Sequence, residues 1–269
     1  MSIRLVVSDI DGTLVRKDKT LSENVVAAIR QVREAGLPVS LISARPPSGM
    51  LWVAERLGLT QPFGAFNGGT IVAPDGTILS ADHVAPDAAA RTLEMLDRPG
   101  ITPWLFAGGA WYAKTTANPY VPREIRSANV DPIIVADFST LLAHVDKIVG
   151  VSDDHDGLAR LEGEVHDALG AAATVVRSQA YYVDVTAPTG NKGDGLIAVA
   201  KAVGVDPADV IVFGDQRNDL PMFARAGVSV AMGNAPDEVQ AAATHVALSN
   251  DEDGVADAIA RFVLPGLRG

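Results

Sequence analysis

The sequence of 269 residues contains no cysteine and no long uninterrupted apolar run. Without cysteine the chain has neither a disulfide framework nor a thiolate metal site, which is compatible with a reducing compartment. No run reaches the roughly eighteen apolar residues that a membrane-spanning helix requires. The first residues also lack the basic start, apolar middle and small-residue cleavage site of a signal peptide. We therefore expect a cytoplasmic protein that does not bind a membrane.

Positive charge is scarce as well. Lysine and arginine total 22 against 33 aspartate and glutamate residues, which gives a formal net charge of −11. Binding to nucleic acid requires clustered Lys and Arg side chains that neutralise phosphates, so we predict no nucleic-acid partner. The same negative charge repels a phosphate ester, and a bound divalent cation would offset that repulsion within a site.

Short apolar segments alternate with helical segments near both ends of the chain. Residues 4–8 and 38–42 read as strands separated by a helix over residues 22–35, and the alternation resumes after residue 188. Parallel strands need long connections, usually helices, so this order is typical of an open parallel sheet. We expect an α/β fold whose core is a Rossmann-like parallel sheet.

The middle of the chain has a different composition, because residues 86–188 hold all four tyrosines and two of the three tryptophans. The chain is also longer than a common single domain. We predict a discontinuous core of residues 1–84 and 188–269, and an inserted α/β cap of residues 85–187, called the insertion below. Residues 118–123 read as a loop, which suits contact with a sugar or polyol phosphate and equally an ordinary surface loop. The aromatic residues that alternate as in strands are expected mostly in the insertion's own core: Trp104, Phe106, Trp111 and Tyr112.

Acidic residues follow two of the predicted parallel strands. Asp9 and Asp11 come after the first strand, and Asp215, Asn218 and Asp219 come after the strand at residues 210–213. The carboxyl ends of parallel strands form the ligand-binding edge of such a sheet. An Asp-Gly turn explains Asp11 but not Asp9, whereas Asn218 and Asp219 would also suit the N-cap of the next helix. Two acidic strand ends at one edge predict a Mg²⁺ site, since Mg²⁺ prefers carboxylate and water oxygens.

Two weaker signals lie between these acidic segments. Ser43, with Ala44 and Arg45, ends a strand, where a hydroxyl and nearby N–H groups suit phosphate oxygens. Lys192 begins a helix, where a cation opposes the helix dipole and therefore invites a functional explanation. Taken singly, Ser43 is more often a cap and Lys192 a solvated lysine. Arg45 is a candidate to bind a second anionic group of a substrate.

The order of these signals resembles the haloacid dehalogenase superfamily phosphatases, and more narrowly their Cof-like branch with an α/β cap. The resemblance covers nearly the whole chain, and it implies a cap inserted between the second and third motifs. The branch often has Thr-Gly-Arg where this chain has Ser43-Ala44-Arg45, and serine keeps the hydroxyl. In chain order, the matching motifs are Asp9-Ile10-Asp11-Gly12-Thr13-Leu14, Ser43, Lys192, and Gly214-Asp215 with Asn218-Asp219.

The resemblance also implies a role for each motif residue. Asp9 would be the nucleophile that forms an aspartyl-phosphate, and Asp11 would protonate the leaving oxygen and later deprotonate a water. That double duty requires an Asp11 pKa near neutrality, which burial beside another carboxylate would favour. Mg²⁺ would be bound by Asp9, the Asp11 backbone carbonyl and Asp215, with Asp219 assisting directly or through water. The phosphate would contact residues Ser43, Ala44, Arg45, Lys192 and Asn218.

The predicted function is therefore Mg²⁺-dependent hydrolysis of a small-molecule phosphomonoester, a sugar phosphate or a similar ester. A phosphosugar mutase begins with the same Asp-x-Asp motif, and a bisphosphate requirement would favour it. A catalytically silent binding protein is expected to have lost at least one of the main motif residues, yet Asp9, Asp11, Lys192 and Asp215 are all present. The motifs concern the phosphate and do not identify the leaving group of the substrate. The sequence also does not decide between a monomer and a homodimer.

Overall fold

The computed structural model describes residues 3–267, and within that range the chain forms fourteen strands and nine α-helices. The strands are β1 (Leu5–Ser8), β2 (Val39–Leu41), β3 (Phe63–Ala65), β4 (Thr70–Val72), β5 (Ile78–Ala81), β6 (Thr102–Ala107), β7 (Ala110–Ala113), β8 (Ile133–Ile134), β9 (Val145–Val151), β10 (Thr174–Gln179), β11 (Tyr182–Thr186), β12 (Val210–Gly214), β13 (Val228–Ala231) and β14 (His245–Val246). The helices are α1 (Glu23–Glu34), α2 (Pro47–Leu57), α3 (Pro86–Leu96), α4 (Val121–Ala128), α5 (His155–Leu169), α6 (Lys192–Val203), α7 (Leu220–Phe223), α8 (Asp237–Ala242) and α9 (Gly254–Ala258).

A five-stranded parallel sheet combines strands from both ends of the sequence, in the order β14-β13-β12-β1-β2. Its interior strand β1 is covered on both faces, because Val6 packs into one apolar cluster while Leu5 and Val7 pack into another. Successive side chains of a strand point to opposite faces, so an apolar run such as β1 suits a sheet with helices on both sides. The predicted α/β fold with a parallel sheet is confirmed.

A second, six-stranded sheet lies within residues 102–186, in the order β10-β11-β9-β6-β7-β8. All of its pairings are antiparallel except that between β7 and β8. A third sheet, β3-β4-β5, is antiparallel and three-stranded. The six-stranded sheet falls inside the predicted insertion, whose limits at residues 85 and 187 remain a prediction.

The aromatic residues of the six-stranded sheet do not form a core private to the insertion. Trp104, Phe106 and Trp111 pack in the apolar cluster that also holds Val6, and the rings of Phe106 and Phe66 are 5.6 Å apart. Alternate residues of β6, such as Leu105, point instead to the cluster under helices α3 and α5. The expectation of a separate aromatic core is therefore wrong, because alternation along β6 turns these rings towards the parallel-sheet half.

Helix α4 replaces part of the predicted loop over residues 118–123. Its Pro122 lies in the first turn, where the missing N–H needs no partner, and Asn129 ends the helix in the left-handed region at φ 55°. Both residues are common in loops, which explains the wrong prediction. The Ser48 hydroxyl of α2 donates to the Ala128 carbonyl at 2.7 Å, so α4 lies directly against α2.

Among the described helices, none combines the length and the apolar character that crossing a bilayer would demand.

Candidate active site

The acidic strand ends meet because β1 and β12 are parallel neighbours with Ser8 opposite Phe213. The Asp9 N–H donates to the Phe213 carbonyl at 2.9 Å, which fixes the chain as it leaves β1. Asp9, Asp215 and Asp219 each contribute one carboxylate oxygen to a group whose members lie within 4.8 Å of one another. Topology alone therefore assembles three buried carboxylates at the carboxyl edge of the sheet.

Lys192 lies in the middle of this acidic group at the start of α6. Its side chain is 1% exposed, and its Nζ lies 2.7 Å from Asp9 Oδ1 and 2.6 Å from Asp219 Oδ1. Burial lowers the pKa of Lys192, but Asp219 and Asp9 outweigh it and raise the pKa above its usual range. The cation that opposed the helix dipole is thus held by two carboxylates.

Asp9 and Asp215 both have raised pKa values. Burial, offset by Lys192 and reinforced by Asp219, raises the pKa of Asp9 to about 7. Burial and the charges of Asp9 and Asp219 also raise the pKa of Asp215 well above its usual range. One lysine would not neutralise all three carboxylates if they ionised together, so a bound cation would favour their ionised forms and lower the raised pKa values.

Asp219 is oriented by the loop that carries it. Its Oδ2 accepts the backbone N–H groups of Asp215 and Gln216, both at 2.8 Å, while its Oδ1 accepts from Lys192. Asn218 donates to Asn67 Oδ1 at 3.2 Å and lines the cavity above Asp9. Asp219 occupies the N-cap position of helix α7, as the N-cap alternative predicted, but its side chain makes no capping bond there and instead caps the preceding turn by accepting the Gln216 N–H.

The three buried carboxylates fit a divalent cation. Thr13 donates to Asp215 Oδ1 at 3.0 Å, and the side-chain amides of Gln216 and Asn234 donate to Asp215 Oδ2 at 3.2 and 3.4 Å. Gly12 has φ +82°, and a Cβ there would lie 2.2 Å from Asp215 Oδ2, so only glycine permits this approach. Hard oxygen ligands in excess of protein cations are the donor set that Mg²⁺ prefers.

Asp11 lies apart from this cluster. Its carboxylate accepts from Arg45 Nε at 2.6 Å and Nη2 at 2.8 Å, and from Lys19 Nζ at 2.5 Å. Burial alone raises the pKa of Asp11, but Arg45 and then Lys19 bring it below its usual range. The expected near-neutral pKa is therefore wrong for this arrangement, in which the carboxylate has two cationic partners.

Arg45 is also not free to bind a second anionic group. Besides the two bonds to Asp11, its Nη1 donates to the Gly49 carbonyl at 3.0 Å, and the side chain is 2% exposed. Lys19 was not among the predicted site residues. It lies in a turn eight residues after Asp11 with φ 71°, and no motif in the sequence marks such a position.

The loop of the second motif, residues 43–45, also lines the cavity. Ser43 is 1% exposed, its hydroxyl accepts the Arg45 N–H at 3.3 Å, and both Ser43 and Ala44 line the cavity. The Ala44 carbonyl accepts Lys147 Nζ at 2.9 Å, and Lys147 belongs to strand β9 of the insertion. The loop therefore joins the two halves of the molecule.

The insertion supplies the rest of the cavity wall, and none of its lining residues was predicted except Arg123. Lys147 is 4% exposed, with its Nζ 5.0 Å from the centre of the Phe106 ring and 3.6 Å from Asp184 Oδ2. A charge inside the apolar strand Val145–Val151 is a signal that the sequence does carry. The other lining residues used below are Arg123, Glu124, Ser127, Gln179 and Tyr182.

Known proteins are similar to this chain over most of its length. A family model for haloacid dehalogenase-like hydrolases matches residues 6–259. The 5-amino-6-(5-phospho-D-ribitylamino)uracil phosphatase YbjI of Escherichia coli is 29% identical, over 96% of this chain and 96% of its own length. The HMP-PP phosphatase of Cronobacter sakazakii is 28% identical, over 90% of this chain and 89% of its own length.

Similarity in structure extends over the same length. The crystal structure of a haloacid dehalogenase-like hydrolase from Bacteroides thetaiotaomicron is 29% identical and covers 97% of this chain and 99% of its own, with a TM-score of 0.84. The two curated relatives are named for different substrates at nearly equal identity. Neither name therefore assigns a substrate here.

Proposed function

Since the chain belongs to the haloacid dehalogenase-like hydrolases and is a phosphatase of their Cof-like branch, we propose that it hydrolyses a small-molecule phosphomonoester with Mg²⁺ bound beside Asp9. The substrate we propose is a sugar phosphate or a similar ester. The observation that carries this proposal is the buried group of Asp9, Asp215 and Asp219 around Lys192, on the floor of a cavity roofed by the insertion.

Asp9 is the proposed nucleophile. Its carboxylate attacks phosphorus, the ester oxygen leaves, and the resulting aspartyl-phosphate is hydrolysed in a second step. Lys192, 2.7 Å from Asp9 Oδ1, supplies positive charge next to the attacking oxygen. The Ser43 hydroxyl and the Asn218 amide, which line the same cavity, are placed to donate to the phosphoryl oxygens.

Mg²⁺ would be held by Asp9 and Asp215, with the Asp11 backbone carbonyl as a further proposed ligand. When bound, it would offset the repulsion between the Asp9 carboxylate and the phosphate. Asp219 already accepts hydrogen bonds from two backbone N–H groups and from Lys192. We therefore propose that Asp219 holds the loop after β12 in place and adds negative charge, while Asp9 and Asp215 are the main Mg²⁺ ligands.

Asp11 is the proposed proton carrier. Arg45 and Lys19 hold it as a carboxylate, the form that takes a proton from the water that hydrolyses the aspartyl-phosphate. In the first step Asp11 must instead give a proton to the leaving oxygen, so its contacts with Arg45 and Lys19 have to open before that transfer. Arg45 is thus a proposed positioning residue for Asp11 rather than a subsite for a second anion.

The insertion is the proposed cap. Lys147 donates to Ala44 and Ser48 donates to Ala128, so polar contacts hold the two halves together directly above Asp9. Such closure removes bulk water from the reacting groups and brings the cap's side chains to the leaving group. We propose residues 85–187 as the unit that moves.

A screen for released phosphate tests this function. The protein is incubated with a panel of phosphomonoesters, sugar phosphates included, either with Mg²⁺ or with a chelator. We expect release from some esters with Mg²⁺ and none with the chelator. Transfer of phosphate to a sugar, with a bisphosphate requirement, would identify a mutase instead. Absence of release from every ester by the folded protein with Mg²⁺ would indicate a binding protein.

A further inference from the structure

Glu124, in the first turn of α4, is a buried acid that the phosphoryl chemistry does not use. The residue is 6% exposed, and its carboxylate lies on the wall of the cavity that also contains Asp9 and Asp11. Tyr182 donates its hydroxyl to Glu124 Oε2 at 3.0 Å, and this is the one hydrogen bond that the Glu124 carboxylate makes within residues 3–267. A carboxylate has about four acceptor positions, so most of those of Glu124 have no donor from the described residues.

The neighbouring cations do not fill these positions. Arg45 is committed to Asp11 and to the Gly49 carbonyl, and Lys147 donates to the Ala44 carbonyl. No ion pair within 4.0 Å joins Glu124 to a cation of the described chain. Burial raises the pKa of Glu124, and Lys147 opposes that rise from a distance. A buried acid in this state gains free energy from any donor that a ligand brings.

The surroundings of Glu124 decide which donor fits. Arg123, Ser127 and Gln179 line the same cavity and offer hydrogen-bond donors beside the Glu124 acceptor. A hydroxyl gives one hydrogen and accepts others, so a group with several hydroxyls matches such a mixed wall. An ammonium group would approach Lys147 and Arg123, and their positive charges would repel it.

We propose that Glu124 accepts a hydrogen bond from a hydroxyl of the leaving group, and that this contact selects phosphate esters of polyols and sugars over esters whose leaving group has no second hydroxyl. The inference rests on the proposed phosphatase function and adds to it the residue that reads the leaving group. Glu124 belongs to the insertion and lines the same cavity as Asp9. In an in-line attack by Asp9 the alcohol part of the ester leaves on the side away from Asp9, so the proposal places that part against the insertion.

The test compares two esters across a series of variants. The ratio of kcat/KM for a hexose 6-phosphate to kcat/KM for phenyl phosphate is measured with Mg²⁺ for the wild type, Glu124→Gln and Glu124→Met. Glutamine keeps the shape and a partner for Tyr182 but loses the charge, so we expect the ratio to fall roughly tenfold. Methionine removes the acceptor, and we expect a fall of up to roughly 100-fold. Glu94→Gln, on the exposed face of α3, should leave the ratio at its wild-type value.

Each result bears on the proposal in a different way. An equal loss of activity towards both esters would overturn it, because Glu124 would then only support the site, while the phosphatase function would stand. A wild-type ratio in both variants would also overturn it. Failure of the wild type to release phosphate from any ester of the panel would overturn the phosphatase function first. Should the Met variant not fold, the Gln variant alone decides, since its side chain has the same shape as glutamate.

Discussion

The cavity has two walls that treat charge differently, and the contrast separates the chemistry from the choice of substrate. On the wall built by the parallel sheet, Lys192 and Asp11 have close partners of opposite charge. Lys192 lies within 2.7 Å of both Asp9 and Asp219, and Asp11 is bound by Arg45 at 2.6 Å. Such a wall is organised before any ligand arrives, which favours a group that is the same in every substrate, the phosphoryl group with its cation.

On the wall built by the insertion, the acids are less well matched. Glu124 has one side-chain donor. Behind this wall, neither oxygen of the fully buried Asp184 accepts a hydrogen bond of ordinary geometry from the described residues, although Lys147 lies 3.6 Å away. An acid in this state that lines the cavity, as Glu124 does, favours a ligand that supplies the missing donor. The comparison teaches that the charged groups that act on the phosphoryl group have partners within the protein. The acid proposed to bind the leaving group keeps acceptor positions that a ligand can fill.

The largest effect should follow from Asp9→Asn, which tests the paired wall at its centre. Asparagine keeps the size but cannot form the aspartyl-phosphate, so we expect phosphate release with Mg²⁺ to fall by roughly 1,000-fold or more. Thermal unfolding should show a folded protein. Asp75→Asn, in an exposed turn, is the matched control and should keep full activity. Full activity of the Asp9 variant would refute the proposed mechanism.

The next largest effect is on the free energy of unfolding, and it compares the buried, paired Lys192 with the exposed Lys201. Lys192→Met leaves Asp9 and Asp219 buried without their shared cation, and we expect the free energy of unfolding to fall by about 3–5 kcal/mol. Denaturant unfolding without Mg²⁺ measures it. Lys201→Met, on the exposed side of the same helix, should change it by less than about 0.5 kcal/mol. Equal, small losses in both variants would show that the paired wall is not held by Lys192.

A third effect concerns the junction between the walls. A Cβ at Gly49 of α2 would lie 2.3 Å from the Ser127 carbonyl oxygen of α4, so Gly49→Ala must push the insertion away. We expect a loss of about 1–3 kcal/mol in unfolding free energy, typical of overpacking, together with lower kcat/KM. Gly163→Ala is the control, because a Cβ there meets open space in α5. An unchanged Gly49 variant would mean that closure does not need this contact.

The paired wall was largely predictable from the sequence, for a topological reason. Asp9 and Asp215 follow strands, and strand ends of a parallel sheet converge whatever the loops do. Lys192 was found because a cation at a helix start is unusual. The Asp11–Arg45 pair was not found, since a side-chain contact between two loops depends on rotamers and not on the order of elements.

The insertion's wall was harder to predict for a different reason. Glu124 lies on a helix whose proline and asparagine read as a loop, so its position facing Asp9 had no pattern to reveal it. Lys147 did have one, a charge in the middle of an apolar strand. What it contacts, the Ala44 carbonyl 103 residues earlier, follows only from how the two halves pack.

The smallest effect we expect is a change with pH in the contribution of Asp184 to the unfolding free energy. It tests whether this acid of the insertion is poorly paired. Burial raises its pKa, and Lys147 only partly opposes this, so the folded chain holds the Asp184 proton more tightly than the unfolded chain does. The stability that this carboxyl contributes is therefore present at low pH and is lost as the pH rises above its unfolded pKa of about 3.9. Asparagine cannot titrate. Hence the unfolding free energy of the wild type relative to Asp184→Asn should fall with rising pH, by no more than about 2 kcal/mol.

Urea unfolding from pH 4 upwards measures that difference, and Asp131→Asn at an exposed position of the insertion should show a flat one. A difference that rises with pH would mean that Lys147 stabilises the Asp184 carboxylate by more than burial destabilises it. Asp184 would then be a well-paired acid. In that case Glu124 alone would retain acceptor positions for a ligand. The difference between the two walls would then depend on Glu124 alone.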